Sequence, residues 1–294
     1  MNRRQFINRS AALAAASVFA GQHLLSSAYT AKSKNRIGIQ LYSIKDELAK
    51  DFTGSLQKLA DIGYSSIEPY GFTTDDFFGH RMKELSHIAK DMGMSVSGSH
   101  IWSNINVENS TDKEWDFWKK IADIIKSGNG TWAIQSSLPE AKTMDDLKRI
   151  VAYFNRAGET CKNGGVKFGY HNHAESFVKI EGVEILDYLI QNTDPQLVFF
   201  QMDLGHAVNG GGDCIRYMRD YPKRIPLWHA SDFDTTEREY TEVGKGNVPY
   251  PKLFDLAKSS GLEQLIVEQE TKGDIFASCK IDFDYLKQFK WTKA

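Results

Sequence analysis

The feature that most constrains this chain is an alternation beginning at Ile37. Short apolar runs rich in β-branched and aromatic residues are separated by amphipathic stretches, and eight such pairs follow to the C-terminus. Strand-like runs fall at residues 37–42, 66–69, 95–99, 131–136, 166–170, 197–202, 226–228 and 264–267. Between them apolar residues recur at helical spacing, as in Trp115, Trp118, Ile121 and Ile125, or Leu147, Ile150, Val151 and Phe154. The same spacing predicts helices around Leu56 and Leu59, around Met82, Leu85 and Ile88, and around Leu253 and Leu256, where Pro251 suits a first turn. Parallel strands need a crossover between them, and a helix after every strand supplies it. The predicted fold is therefore α/β: a single (β/α)₈ TIM barrel, an eight-stranded parallel barrel with outer helices, spanning residues 29–294 as one domain.

Composition narrows the partners. At 294 residues, 41% hydrophobic and 25% charged, the chain can bury one large core. A formal net charge of −2 and the lack of a long basic run give no electrostatic reason to expect nucleic acid or an anionic membrane. A small, uncharged or weakly charged substrate fits better. The three cysteines, Cys161, Cys214 and Cys279, lack metal or redox spacing and read as buried thiols.

Residues 1–28 are different in kind. Arg3 and Arg4 precede an Ala-rich apolar run over residues 11–21 that contains no acidic residue. This reads as an export signal cleaved after Ala28, and the string Asn2-Arg3-Arg4-Gln5-Phe6-Ile7 resembles a twin-arginine signal. The apolar run is shorter than the ~20 residues that span a bilayer, so no stable membrane insertion is expected after its removal. The expected location is the periplasm.

In a barrel of this kind functional side chains stand at the C-terminal ends of the strands. Those positions are polar here: Glu68 on the second strand, His100 on the third, His171-Asn172-His173 on the fifth, Asp203 and His206 on the sixth, His229 and Asp232 on the seventh, and Glu268 on the eighth. Two imidazoles and two carboxylates from four adjacent strands, His171, Asp203, His229 and Glu268, make a mixed nitrogen and oxygen set. It suits one divalent metal ion, Mn²⁺ first, with Co²⁺ or Zn²⁺ as alternatives. Glu268 is assigned as ligand and base, His206 and His173 as proton donors or substrate contacts, and Glu68, His100 and Asp232 as substrate-binding residues. The glycine run 209–213 and Gly244-Lys245-Gly246 are read as turns.

The order of these motifs resembles the xylose-isomerase-like TIM-barrel family of sugar isomerases and epimerases. It is carried by Gly38-Ile39-Gln40-Leu41-Tyr42-Ser43, Ile67-Glu68, Tyr170-His171-Asn172-His173, Asp203-Leu204-Gly205-His206, His229-Ala230-Ser231-Asp232 and Ile266-Val267-Glu268. The resemblance implies a divalent metal on the same four residues. It also implies enolisation of a keto-sugar or keto-glycoside through a metal-bound enediolate. Two departures bear on the outcome. Many epimerases of the family have a glutamate where His171 stands, and many relatives have lysine where Ser231 stands. The Tyr-His-Asn-His string is closer to the branch resembling inosose dehydratases and enzymes acting on 3-keto-glycosides. The expected activity is thus isomerase or epimerase, with a lyase or dehydratase working by β-elimination as the alternative. A non-catalytic exported sugar-binding barrel is the third reading, and nuclease chemistry is disfavoured by the charge.

Overall fold

The structure, a computed structural model, describes residues 35–102 and 111–293; the predicted export signal lies outside them. Eight parallel barrel strands run in chain order: β1 (Ile37–Gln40), β2 (Ser66–Glu68), β3 in two halves (Ser95–Val96 and Gly98–Ile101), β4 (Trp132–Gln135), β5 (Lys167–His171), β6 (Val198–Asp203), β7 (Leu227–Ala230) and β8 (Gln264–Val267). Each lies within or overlaps a predicted run. β1 pairs with both β2 and β8, and the chain of pairings continues through β7, β6, β5 and β4. The ring closes through β3, whose first half pairs with β2 and whose second half pairs with β4.

The break in β3 is a one-residue bulge. Ser66 sits opposite Ser95, whereas Tyr70 sits opposite His100, so β3 spends one residue more than β2 over the same stretch. An extra residue reverses which side chains face inward. Val96 and Ile101 accordingly both pack in the outer core although they are an odd number of residues apart. Gly98 lies in the bulge because its α-carbon presses on β4: a Cβ there would come within 2.2 Å of the Trp132 carbonyl oxygen.

The outward strand residues, among them Ile39, Ile67, Phe168, Phe200 and Trp228, join the apolar faces of the helices in one continuous core. Trp118 and Ile121 come from the helix Asp112–Ser127, and Leu147 and Phe154 from Met144–Gly164, as their spacing predicts. Each such fully buried side chain contributes ~1.5–3 kcal/mol relative to exposure. The lower barrel interior is small: Trp132, Ile134 and Leu227 pack with Phe199. Lys167 closes that end, its ammonium 4.4 Å from the Trp132 ring centroid and 3.0 Å from Glu263. The three cysteines are free and buried. Among the described residues no helix is long and apolar enough to cross a membrane.

Two short antiparallel hairpins, Lys179–Ile180 with Val183–Glu184 and Asp232–Asp234 with Glu239–Thr241, rise from the loops after β5 and β7. Neither was anticipated, because strands of two or three residues are too short to show an alternation. The C-terminal helix Ile275–Leu286 ties this rim together through Asp282. Its oxygens accept from the Val243 amide at 2.7 Å and the Gln269 side-chain amide at 2.6 Å. Burial pushes the Asp282 carboxyl up to about 7, against ~3.9 for an unfolded aspartate. Between those values the folded protein holds a proton that the unfolded chain has released. Its stabilising effect is therefore complete below pH ~4 and is lost as pH rises to about 7. In denaturant titrations the stability difference between wild type and Asp282→Asn is expected to shrink by on the order of 2–4 kcal/mol across this window. Parallel pH curves for the two proteins would remove Asp282 as the source.

Candidate metal centre and active site

The upper barrel interior is polar, and its geometry follows from the two-residue repeat of a strand. Gln40, Glu68, His100, His171, Gln201, His229 and Glu268 point inward from β1, β2, β3, β5, β6, β7 and the residue after β8. All are buried. Glu68 lies at the centre of this layer with no exposed surface. It accepts from Gln40 Nε2 at 3.0 Å, from Gln201 Nε2 at 3.0 Å and from His229 Nε2 at 2.7 Å, with His100 Nε2 at 3.3 Å. Burial pushes its carboxyl up, but the His100 and His229 imidazoles outweigh that and hold it below the usual glutamate range.

Gln201 fixes the histidines. Its Nε2 donates to Glu68, so its Oε1 is left to accept from His100 Nε2 at 2.7 Å and His171 Nδ1 at 3.1 Å. With Nδ1 carrying the proton, His171 presents an Nε2 lone pair to the cluster. Burial and the surrounding imidazoles hold His171 well below its ordinary pKa, which keeps it neutral. His229 donates Nε2–H to Glu68 and turns Nδ1 towards Glu268 Oε2 at 2.7 Å. Burial works against its charge, yet the two carboxylates raise it to about 10, and Glu268 falls to about 2.

Asp203 caps the helix Leu204–Asn209. Its Oδ1 accepts from the His206 amide at 2.6 Å and from the Ser231 hydroxyl at 2.6 Å. The serine at 231 therefore orients Asp203. Asn172 exchanges two 3.1 Å hydrogen bonds with the Asp203 backbone, pinning the end of β5 to β6. Asp203 Oδ2 is buried without a partner, and burial raises the carboxyl to about 6. A buried, unpartnered carboxylate oxygen is costly unless something cationic meets it.

Donor atoms of His171, Asp203, His229 and Glu268 all lie within 4.8 Å of one another. Two further histidine groups do so as well, His100 with His171 and His229, and His171 with His173 and His206. Only the four-residue group contains carboxylates and the orphaned oxygen. In the all-histidine groups His100 Nε2 and His171 Nδ1 are already committed to Gln201. The four thus fit a divalent cation by donor chemistry and by an unmet need for positive charge.

The other predicted site residues divide. His173 and His206 stand at the mouth, their side chains 35% and 15% exposed and their rings 4.7 Å apart. His206 is held between Glu270 at 3.3 Å and the Tyr240 hydroxyl. Burial opposes its charge, but Asp203 and Glu270 raise it to about 9. Glu68 and His100, expected to bind substrate, are buried, with the Glu68 oxygens and His100 Nε2 engaged by protein groups. Asp232, read as a substrate-binding residue, is buried and accepts four backbone amides, from Phe233, Gly244, Gly246 and Val248. It orders its own loop, with Gly244-Lys245-Gly246 as the turn. Sequence reasoning missed Gln40, Gln201, Tyr240 and Glu270. A lone glutamine inside an apolar strand, two residues before a polar strand end, was the available signal for Gln201.

Residues 56–294 match the family described as xylose isomerase-like TIM barrel. An inosose dehydratase of Geobacillus kaustophilus is 29% identical over 191 residues, covering 60% of this chain and 60% of the relative, so the chain spans less than two thirds of its length. An inosose dehydratase of Lactiplantibacillus plantarum is 24% identical over 271 residues, 79% of this chain and 87% of the relative. A crystal structure described as a sugar phosphate isomerase/epimerase from Parabacteroides distasonis superposes with a TM-score of 0.79 at 29% identity, over 90% of this chain and 97% of that one.

Proposed function

The chain belongs to the xylose isomerase-like TIM barrel family, and from that premise we propose that it is a divalent-metal-dependent enzyme that enolises a keto-sugar or keto-glycoside. The observation that carries the reading is the convergence of His171, Asp203, His229 and Glu268 on one point, with Asp203 Oδ2 lacking any protein partner. These four would hold the ion; Mn²⁺ is the proposed metal, with Co²⁺ and Zn²⁺ compatible with the same donors. A divalent ion bound there supplies Lewis acidity, polarising a carbonyl and its neighbouring hydroxyl and so acidifying the adjacent C–H.

The protein's own groups do the rest. Of the four, Glu268 has the most exposed surface, 8%, so its carboxylate is the one placed to take the proton from carbon. His206 and His173 face the mouth from the side of β5 and β6, where one returns a proton or protonates a departing oxygen. Glu68 and Gln201 hold the imidazoles in their working tautomers. Return of the proton at the same carbon gives epimerisation and at the neighbouring carbon isomerisation. Loss of a β-oxygen substituent gives dehydration or glycoside cleavage, and the inosose dehydratase relatives favour this second outcome. The proposal extends to location: Arg3, Arg4 and the apolar run at 11–21 support export of residues 29–294 to the periplasm, checked by cell fractionation.

The test is solvent deuterium incorporation, read by NMR, with Mn²⁺-loaded protein in D₂O and a panel of ketoses, inososes and 3-keto-glycosides. Exchange with a new sugar identifies an isomerase or epimerase; an unsaturated product with released water or aglycone identifies a lyase. No exchange with any panel member, together with Glu268→Gln behaving as wild type, would leave the sugar-binding barrel in its place.

A further inference from the structure

The two nitrogens of the His206 ring are met by side chains from two different loops. Tyr240, on the hairpin after β7, bonds Nδ1, and Glu270, on the segment after β8, stands 3.3 Å from Nε2. Asn209 Nδ2 donates to the same Tyr240 oxygen at 3.3 Å. Contacts on both nitrogens fix the plane of the ring. Side chains carried on loops are held less precisely than those on strands or helices, so the alignment of this imidazole depends on what holds the two loops.

One face of the helix Ile275–Leu286 holds both. Ser278, Asp282 and Tyr285 follow one another a turn apart on it, and the first two each join the two loops. Asp282 accepts from the Val243 amide at 2.7 Å and from Gln269 Nε2 at 2.6 Å. Gln269 Oε1 in turn accepts from the Glu270 and Thr271 amides, both at 2.9 Å, so the carboxyl reaches the backbone of Glu270 through a single side chain. Ser278 makes the outer bridge: its hydroxyl accepts from Thr271 Oγ1 at 3.0 Å and donates to Glu242 Oε1 at 3.2 Å. Tyr285 lies against Gly244, where φ is +90° and a Cβ would come within 2.4 Å of the ring. Asp282 and Ser278 are both buried. A carboxyl among the packing residues Cys279, Phe283 and Leu286 is costly to desolvate; a helix that needed only to pack would carry an apolar side chain there.

We propose that Asp282, with Ser278 as its outer partner, is a positioning residue for the reaction: it aims the His206 ring by holding Tyr240 on one nitrogen and Glu270 on the other. This rests on the assignment of His206 as a group that returns or donates the proton, and adds the residues that align it. A carboxylate accepts hydrogen bonds from both sides, whereas an amide accepts on one side only. Asp282→Asn therefore turns an NH₂ towards either Gln269 or Val243, and one of the two arms must part. Adding Gln269→Glu reverses the polarity of the pair. The new amide then donates to the new carboxylate, which keeps an oxygen for the Glu270 and Thr271 amides, and Val243 keeps its acceptor.

The ring is read by long-range proton–nitrogen correlation NMR on the full chain at pH 8 with Zn²⁺ present, a diamagnetic ion. Asp282 is ionised there, its carboxyl standing at about 7. His206→Gln identifies the ring resonances, and Glu270→Gln and Tyr240→Phe mark where they lie with one nitrogen released. Asp282→Asn is expected to move them most of the way to one of these two positions, Ser278→Ala part of the way, and Asp282→Asn combined with Gln269→Glu back to wild type. With any panel sugar that exchanges deuterium, kcat should fall on the order of 10²-fold in Asp282→Asn, the effect of a small misplacement, with KM little changed and kcat restored in the double variant. Wild-type resonances in both Asp282→Asn and Ser278→Ala overturn the positioning role, as does a displaced ring with undiminished kcat or a displacement that the double variant does not reverse. If Asp282→Asn does not fold, Ser278→Ala and the double variant decide on the same resonances. The resonances are read without substrate, so an absence of deuterium exchange refutes enolisation and leaves the brace standing, whereas unmoved resonances refute the brace and leave enolisation standing.

Discussion

Asp203→Asn is expected to separate the metal from the fold. The amide keeps an oxygen for the Ser231 hydroxyl and the His206 amide, both of which bond to Oδ1. It removes the charge that burial has raised to a pKa of about 6. A raised carboxylate is a liability above its folded pKa: wild type loses stability as pH rises from ~4 to about 6 and gains none of it back at higher pH. The metal-free variant should therefore match or exceed the metal-free wild type at pH 8. Metal behaviour should move the other way. The rise in melting temperature on adding Mn²⁺ to wild type should vanish in the variant, and turnover should fall by ~10³-fold or more, equivalent to ~4 kcal/mol of lost electrostatic assistance. Thermal melts with and without Mn²⁺ suffice, and an undiminished metal-induced shift in the variant would exclude Asp203 as a ligand.

Glu68→Gln should do nearly the opposite, weakening the protein first and the metal site second. Gln40, Gln201 and His229 all aim donors at this one carboxylate, with the His100 ring beside it. A glutamine offers one acceptor oxygen and adds an NH₂ facing the remaining donors. Removing one member of a buried charged network costs ~3–5 kcal/mol, and loosening the partner of a ligating imidazole costs ~10–100-fold in metal affinity. The Glu68 contribution is full at neutral pH and fades as acid passes below the usual glutamate range, because its folded pKa is lowered. Urea denaturation at pH 7 and a Mn²⁺ titration measure both effects. An intact fold with only a raised KM would make Glu68 a substrate contact after all.

That contrast shows where the sequence was readable. The eight strands stood out because a parallel barrel buries both faces of each strand and so demands unbroken apolar runs. The strand-end residues His171, Asp203, His229 and Glu268 followed from the barrel's geometry. Depth was not readable. Glu68 and Asp232 occupy strand ends as well, but side chains of Gln40, Gln201 and His229 surround the first and amides returning from residues 244–248 enclose the second. Such covering depends on what neighbouring strands place at the same level, or on a loop that folds back from twelve residues away. Tyr240 illustrates the same limit: it reaches His206 from a hairpin whose strands are three residues long. Gln40 and Gln201 were legible in principle, since an amide inside an apolar strand needs a buried partner.

The bulge in β3 gives the barrel a counting rule. β3 carries one odd residue, and the rest of the strand inherits the reversed parity: His100 looks into the barrel, Ser99 and Ile101 away from it. Within this strand a gap of one is not a neutral event. Deleting a residue at the bulge would carry the His100 imidazole into the helix layer and bring Ile101 to the barrel interior. A homologue aligned across this point, or a strand transplanted between two such barrels, keeps its inward imidazole only if the surplus residue travels with it.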